Sequence, residues 1–354
     1  MPRVRFTVVL LVVIFTSPYL RGQTKALDVF KSWDKNGDGV LVISEVPPNL
    51  RPLFPRNDRN NDGKISIKEH IVAMGRPAPI VRSQTRVQEF RIRQVWHQEP
   101  GGWARRVLIR MPVKAEMKLP VVIFLHGNGG QADNAINHYK NILSDVIFVC
   151  PQGYRRSWNV FEESSEAPDV EFLEEIIEHL RTRVMDADLQ NVTIIGSSNG
   201  SGLVHRLLIE MERKPFQKAV CLVASMVEEQ YHDSAFWVSS QKEKNLYDQQ
   251  VKPTRGPKVL YFHGTDDRVV PYQGGNRGNV PHLSAQDTAY AFATAFGYRG
   301  QQIADRDGKA VGPGIFKYDY PEAMYTHYKL VGEGHGIERT REFVNAAIRS
   351  LVFE

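Results

Sequence analysis

One serine of the chain stands in a sequence that is typical of nucleophiles held on tight turns. The stretch GSSNG at residues 196–200 follows the apolar run 192–195 and precedes a helical pattern. Between a strand and a helix, G-x-S-x-G exposes the serine hydroxyl and turns the next backbone N–H toward a developing oxyanion. The alternative is a glycine turn without chemistry. The pattern predicts Ser198 as the nucleophile of an acyl transfer.

A serine hydroxyl is a weak nucleophile, so it needs a base and an acidic group that orients the base. Both candidates lie further along the chain, each directly after a strand-like run. His335 stands among glycines after residues 328–331, and Asp266 and Asp267 follow residues 259–262. The order serine, acid, histidine suits a nucleophile on a strand-to-helix turn. Periodicity does not decide between the two aspartates.

Two further motifs are candidates for substrate contacts. The stretch HGNGG at 126–130 ends a strand-like run, and its glycines would let the N–H of Asn128 join that of Asn199 in an oxyanion hole. A plain strand-ending turn is the alternative. Trp158 follows another strand end and could line the acyl site, or it could pack in the core. His126 and His263 are expected to hold loops rather than to perform chemistry.

Between these motifs, strand-like and helical patterns alternate. Continuous apolar runs that suit strands buried on both faces lie at 121–125, 146–150, 192–195, 219–223 and 259–262, and helical patterns lie at 170–184 and 200–211. An antiparallel hairpin with its turn at 99–102 precedes them. The alternation predicts an α/β fold with a doubly wound, mostly parallel sheet, which gathers the candidate groups at the carboxyl ends of its strands. Residues 225–258 have no strong pattern and are long enough to form a cap.

Residues 34–45 and 58–69 each carry a complete EF-hand ligand set for Ca²⁺. The ligands would be Asp34, Asn36, Asp38, Val40, Glu45, Asp58, Asn60, Asp62, Lys64 and Glu69. Leu41 and Ile65, at position 8 of each loop, should pair. The short spacing between the loops favours a compact structural pair over a regulatory one. A polar turn that binds nothing is the alternative.

The N-terminus and the composition limit the other possibilities. Arg3 and Arg5 precede an apolar run at 6–15, which predicts a signal peptide over 1–23 and a secreted or periplasmic protein; an uncleaved anchor is the alternative. Three of the five net positive charges lie in that segment, so no nucleic-acid partner is expected. The rest of the sequence contains no second long apolar run, so we expect no membrane span in the mature chain. The domains would be an EF-hand pair over 24–75, a linker over 76–86 and a larger domain over 87–354.

The composition and the positions of the two cysteines each give one further expectation. Of the 354 residues 42% are hydrophobic and 24% are charged, which is ordinary for globular proteins and excludes a disordered chain. Cys150 and Cys221 lie in strands that would not be neighbours in a doubly wound sheet, so we expect two free, buried thiols.

Over about residues 105–350 the chain resembles α/β-hydrolases of the secreted poly(3-hydroxybutyrate) depolymerase and feruloyl-esterase-like group. The resemblance rests on residues 125–127, 169–172, 196–200, 263–265, Asp267, 270–272, 284–288 and 334–335. It implies an α/β-hydrolase fold and hydrolysis of carboxylic esters, often polymeric, through an acyl-serine without a cofactor. It also implies Asp267 rather than Asp266 as the acid. Residues 336–338 lack the aromatic residue and proline usual in that group.

Two other functions fit the same residues. A peptidase of the same fold would use the same serine, acid and histidine. A calcium-dependent binding protein with an inactive hydrolase domain would keep the EF-hand pair and lose the chemistry. The sequence does not identify a docking partner for that pair.

Overall fold

The computed structural model describes residues 28–58, 62–67, 69–70, 84–115, 117–241 and 244–354. The chain divides into two compact units, Met1–Ile80 and Val81–Glu354. The predicted signal peptide, Asn60 and residues 76–83 of the predicted linker lie outside the described residues. The first long strand begins at Thr85, two residues before the predicted start of the larger domain.

In the N-terminal unit, β1 (Val40–Leu41) and β2 (Ile65–Ser66) pair antiparallel. A 3-10 helix, Pro48–Leu53, and the short α1 (Phe54–Asn57) lie between them in sequence. Leu41 is the partner of Ile65, as predicted. Both side chains are buried in a small apolar core with Phe30, Val46 and Phe54.

The second unit contains strands β3 to β17. Their bounds are β3 Thr85–Trp96, β4 Glu99–Pro112, β5 Leu119–Leu125, β6 Ile147–Pro151, β7 Ala187–Ser197, β8 Lys218–Leu222, β9 Tyr231–His232, β10 Ala235–Val238, β11 Gln249–Val251, β12 Lys258–Gly264, β13 Gly275–Arg277, β14 Val280–His282, β15 Lys309–Gly312, β16 Ile315–Tyr320 and β17 Tyr325–Leu330. Short 3-10 helices lie at Tyr154–Arg156, Glu228–Gln230, Asp305–Asp307 and Pro321–Ala323. Within the predicted cap region, β9, β10 and β11 form a small sheet of their own.

The main sheet has the order β15-β16-β17-β12-β8-β7-β5-β6-β4-β3. The six neighbouring strands from β17 to β6 run parallel, and the strands beyond them on both sides run antiparallel. From β5 the chain goes to β6 on one side and then to β7 on the other, so β5 lies at the point where the strand order reverses. The predicted doubly wound, mostly parallel sheet is confirmed, and this arrangement is the α/β-hydrolase fold.

Helices cover both faces of the sheet. They are α2 (Ala132–Ala135), α3 (Asp169–Arg183), α4 (Asn199–Glu210), α5 (Ala285–Ala295) and α6 (Arg341–Phe353). The side chains of β5 show why both faces need cover. Val121, Ile123 and Leu125 pack in the core beneath α3, α4 and α5, whereas Val122 and Phe124 pack in a second core with α2 and α6. A strand with two buried faces therefore has no polar alternation.

Two finer predictions have different outcomes. Cys150 and Cys221 are buried and free, on β6 and β8 with two strands between them, as predicted. The β3–β4 hairpin is also present, but its turn lies at residues 97–98 rather than at 99–102. Gly101 and Gly102 lie within β4 in a bulge between the Gln94–Trp103 and Trp96–Glu99 pairs, where Gly102 has φ 81°.

No helix in the described part of the chain combines the length and the apolar character that a bilayer crossing requires.

A buried ion pair joins β4 to α3 beside the sheet. Arg105 Nη2 lies 2.5 Å from Asp169 Oδ1, and both side chains are almost fully buried. Asp169 Oδ2 accepts the N–H of Asn159 at 2.6 Å, and the guanidinium lies 3.7 Å from the ring centre of Phe172. Burial lowers the pKa of Arg105, and the carboxylate of Asp169 opposes that shift. Each charge is thus stable in the core only while the other is present.

We expect Asp169→Asn to lower the free energy of unfolding by about 3–5 kcal/mol, because it leaves a buried guanidinium without its counter-charge. Urea unfolding of the whole protein measures the loss. Glu174→Gln, at an exposed position of the same helix, is the control and should change stability by less than about 0.5 kcal/mol. Equal effects of the two variants would contradict the role given to the pair.

Candidate active site

Candidate groups follow four parallel strands at the same edge of the sheet. Ser198 directly follows β7, Asn128 follows β5, Asp267 follows β12 and His335 follows β17. Ser198, Asn128 and Asn199 line a cavity of about 440 Å³. This edge, beside the strand-order reversal, is where open α/β sheets bind ligands.

Ser198, His335 and Asp267 form one hydrogen-bonded chain. His335 Nε2 lies 2.8 Å from Ser198 Oγ, and His335 Nδ1 lies 2.8 Å from Asp267 Oδ2. An ionised carboxylate only accepts hydrogen bonds, so Nδ1 carries the ring proton and Nε2 is left to accept the serine proton. The geometry is that of a nucleophile, a base and an orienting acid.

The carboxylate of Asp267 is buried and held on both oxygens. Oδ1 accepts the backbone N–H groups of Val269 at 2.8 Å and Val270 at 3.0 Å. Burial alone would raise the pKa of Asp267, but hydrogen bonds from His263, His335 and the Val270 N–H outweigh it and hold the pKa well below its usual range. Asp266 is exposed and bonds to Thr265 instead. The structure therefore places Asp267, not Asp266, against the histidine.

The backbone of Ser198 is strained, with φ 53° and ψ −122°. Few non-glycine residues adopt this conformation, and it persists only where the surroundings enforce it. Two glycines make the turn possible. A Cβ on Gly196 would lie 2.3 Å from the carbonyl oxygen of Gly200, and a Cβ on Gly200 would lie 2.2 Å from that of Leu125. The G-x-S-x-G pattern is thus a steric requirement of the turn.

The side chain of Asn199 is bound to the loop that follows β6. Its Oδ1 accepts the Trp158 N–H at 2.8 Å, and its Nδ2 donates to the Trp158 carbonyl at 3.0 Å and to Glu163 Oε1 at 2.8 Å. Within the described residues, the backbone N–H groups of Asn199 and Asn128 donate to no other protein group. Both are therefore available to a substrate oxygen.

The prediction that Trp158 lines the acyl site is wrong. Its side chain is fully buried in the larger apolar core, and its indole N–H donates to the carbonyl of His126 at 2.7 Å. The backbone of Trp158 holds Asn199, which directs the ring beneath the site rather than into the cavity.

Sequence reasoning missed three polar side chains around the site. Glu163 lines the cavity, accepts from Asn199, and has its pKa raised by burial. Glu333 accepts the N–H groups of Glu338 and Thr340 and so holds the loop of His335. Ser225 also lines the cavity, and its buried Oγ has no hydrogen-bond partner among the described residues. The sequence holds no sign of these roles because each depends on how distant loops meet.

His126 and His263 lie within networks that hold loops. The N–H of Gly153 donates to His126 Nε2 at 3.1 Å, which leaves Nδ1 to donate to the Gly127 carbonyl at 2.8 Å. His263 Nε2 lies 2.9 Å from the carbonyl oxygen of Val270. Neither ring contacts Ser198.

In the predicted calcium loops, the first aspartate of each loop accepts backbone N–H groups of the glycines that follow it. Asp34 accepts the N–H groups of Gly37 at 2.8 Å and Gly39 at 3.0 Å, and Asp58 accepts that of Gly63 at 2.8 Å. The same two loops contain the other predicted ligands that the structure describes: Asn36, Asp38, Val40, Glu45, Asp62, Lys64 and Glu69. Asn60 is outside the described residues. No group of three or more His, Cys, Asp or Glu side chains within the described ranges is arranged as a metal site.

No protein-family model matches the sequence, and no curated protein matches it either. Solved structures match at low identity. An acetyl xylan esterase from Aspergillus awamori is 15% identical, with a TM-score of 0.47, over 68% of this chain and 94% of its own. An S-formylglutathione hydrolase from Agrobacterium tumefaciens is 13% identical, with a TM-score of 0.44, over 75% and 94%. An acylaminoacyl peptidase from Pyrococcus horikoshii is 14% identical, with a TM-score of 0.45, over 75% and 41%. At identities this low, the similarity to these structures is a similarity of fold alone.

We expect Asp267→Asn to lower the free energy of unfolding at pH 7 by about 2 kcal/mol, because charged hydrogen bonds are lost. A depressed folded-state pKa gives stability that is present above the unfolded pKa, about 3.9, and is lost as pH falls through the folded pKa. The difference between wild type and variant should therefore shrink below about pH 4. Denaturant unfolding across pH measures it, with the exposed Asp266→Asn as control. A difference that stays constant with pH would contradict the assignment.

Proposed function

We propose that the chain is a secreted or periplasmic serine esterase that hydrolyses carboxylic esters through an acyl-serine intermediate. One observation carries the proposal: the 2.8 Å contacts that link Ser198 Oγ to His335 and His335 to the buried Asp267. The N-terminal sequence of residues 1–23 supports export. The resemblance to depolymerases and feruloyl esterases supports an ester that is attached to a polymer.

The geometry supports the following reaction. His335 Nε2 takes the proton of Ser198 while Oγ attacks the ester carbonyl, and Asp267 stabilises the imidazolium that forms. The N–H groups of Asn128 and Asn199 would receive the oxyanion, where one donor is worth about 3 kcal/mol of barrier. His335 then gives its proton to the departing alcohol. Water, activated in the same way, hydrolyses the acyl-serine and restores the free hydroxyl.

A peptidase of this fold remains the second candidate, since the same three residues also cleave amides. Amide hydrolysis needs protonation of a poorer leaving group, whereas an activated ester does not. Turnover of p-nitrophenyl acetate and of a peptide p-nitroanilide by the same preparation separates the two. We expect ester turnover to exceed amide turnover by at least about 10³-fold in kcat/KM. Faster amide turnover would favour the peptidase.

We expect Ser198→Ala to lower kcat for p-nitrophenyl acetate by at least about 10⁴-fold, because the acyl acceptor is lost. Ser197→Ala, at the preceding position, is the matched control and should remain within about tenfold of wild type. Circular dichroism of both variants checks the fold. Retention of wild-type turnover by Ser198→Ala would show that the hydrolysis comes from another site. That result would support the third possibility, a binding protein whose hydrolase residues are inactive.

We also propose that the N-terminal unit binds Ca²⁺ through the ten EF-hand ligands given above. The turns in which Asp34 and Asp58 accept glycine N–H groups, and the Leu41–Ile65 pairing, support it. The side-chain oxygens and the carbonyls of Val40 and Lys64 suit a hard cation. At extracellular calcium concentrations such a site would stay filled and stabilise its unit. A partner for this unit is not identified.

We expect a chelator to lower the midpoint of the first thermal transition of the intact protein and to leave p-nitrophenyl acetate turnover within about twofold. Ligand binding stabilises only the unit that contains the site. Calorimetry with and without Ca²⁺ measures this. The double variant Glu45→Gln, Glu69→Gln should show the lower midpoint even with Ca²⁺ present. Loss of ester turnover on chelation would contradict a purely structural role.

A further inference from the structure

A second cavity, of about 640 Å³, lies outside the catalytic cavity and is not used by the mechanism. It forms between β4 and the turns that follow β5 and β6; we call it the β4 groove. Five arginines and two aromatic residues, Trp103 and Tyr154, line its walls. Aromatic rings and guanidinium groups thus dominate a groove larger than the catalytic cavity.

Trp103 is the exposed end of an aromatic cluster in the β4 groove. Its side chain stays 48% exposed, although it belongs to a strand. Its ring centre lies 5.8 Å from that of Tyr154 at 77°, and Tyr154 packs edge-on against Trp96 at 4.9 Å. The guanidinium of Arg155 lies 5.2 Å from the Tyr154 ring. The cluster fixes the indole, so a ligand that stacks on it would not have to order it.

The cations of the β4 groove fall into two groups. Three are paired with carboxylates: Arg91 with Glu89, Arg106 with Glu89 and Asp133, and the buried Arg105 with Asp169. In contrast, Arg155 and Arg156 are exposed and form no ion pair with a carboxylate in the described part of the chain. Each donates to one backbone carbonyl, Arg155 to that of Ser164 and Arg156 to that of Gly129, and each keeps further N–H donors for an anion.

Both of these arginines have a strained backbone. Their φ angles are 50° and 64°, in the left-handed region that costs non-glycine residues about 1 kcal/mol or more each. The turn is held in place by Gly129, whose N–H donates to the Arg156 carbonyl at 2.8 Å and whose carbonyl accepts from the Arg156 guanidinium. Strain retained at adjacent exposed arginines points to a purpose other than packing.

We propose that the β4 groove binds an acidic oligosaccharide, with a pyranose ring stacked on Trp103 and a uronate carboxylate bound by Arg155 and Arg156. An indole matches the apolar face of a sugar ring, and a guanidinium matches a carboxylate. Gln131 can donate to or accept from sugar hydroxyls, and Glu99 and Asp133, which already accept from Tyr154 and Arg106, have acceptor capacity left. A nucleic acid is less favoured, because its affinity depends on many unopposed cations along the phosphate chain and only two arginines of the groove lack a carboxylate partner.

The β4 groove is connected to the catalytic cavity by one loop. Residues 152–156 of this loop line the β4 groove, and residues 160–164 line the catalytic cavity. This inference rests on the proposed function only in one respect: an esterase that acts on acyl groups attached to a polysaccharide would have a use for a second site that binds the sugar chain. The binding itself does not depend on hydrolysis, so it is tested without turnover.

Isothermal titration calorimetry of the full chain with a hexamer of galacturonate tests the proposal. We expect binding that weakens as NaCl is raised, because exposed guanidinium groups are screened by salt. Trp103→Ala and Arg155→Gln should each raise Kd by about tenfold, the equivalent of about 1.4 kcal/mol. Trp237→Ala and Arg181→Gln, which change the same residue types outside the groove, are the matched controls and should leave Kd within about twofold.

Three results would overturn the proposal: no measurable heat with the galacturonate hexamer, equal affinity for a neutral xylose hexamer, or loss of binding in the control variants as well. Tighter binding of a single-stranded oligonucleotide than of the hexamer would assign the groove to nucleic acid instead. Failure of the esterase assay with intact hexamer binding would leave this inference standing and remove only the proposed reaction.

Discussion

The left-handed turn at Ser198 is the constraint on which the rest of the larger domain depends. A serine at φ 53° directs its hydroxyl away from the strand it follows and toward His335, and the turn exists only because Gly196 and Gly200 let two backbone segments touch. The cost, of order 1–3 kcal/mol, is met by the surrounding fold. The Ser198 N–H bonds to the Leu222 carbonyl at 2.9 Å, so the neighbouring strand holds the turn.

Buried hydrogen bonds hold the partners of Ser198, which are His335 and Asp267, in place. Asp267 keeps its charge in the interior because two backbone N–H groups and His335 donate to it, with His263 Nε2 3.5 Å away. The contact with His335 fixes which nitrogen of that ring carries the proton. Elsewhere, Asp169 and Arg105 balance one another below the loop that carries Asn159. In both places a carboxylate is tolerated in the core because every oxygen has donors, and in both it positions a loop that borders the catalytic cavity.

The sequence predicts the sheet and the positions of the candidate catalytic residues better than it predicts the loops. Apolar runs such as residues 121–125 identify buried strands because each strand must cover two faces. Ser198 and His335 are predicted because strand ends share one edge. The choice of Asp267 over Asp266 came from a family resemblance, since the two positions differ only in how the turn points them. The prediction for Trp158 is wrong and the role of Glu163 is missed, because the directions of both side chains depend on contacts between segments distant in sequence. The glycines at 101–102 predict a turn, but they lie in a bulge of β4, where Gly102 adopts φ 81° without ending the strand.

The most direct measurement of the central claim is covalent labelling of the intact protein with a fluorophosphonate, followed by peptide mass spectrometry. Such reagents phosphonylate only a serine whose hydroxyl is made nucleophilic by a neighbouring base. The account predicts one adduct per chain, on the peptide that contains Ser198, with labelling that fails in His335→Ala. An adduct on another residue, or ester hydrolysis that continues at full rate in a preparation labelled elsewhere or not at all, would contradict it.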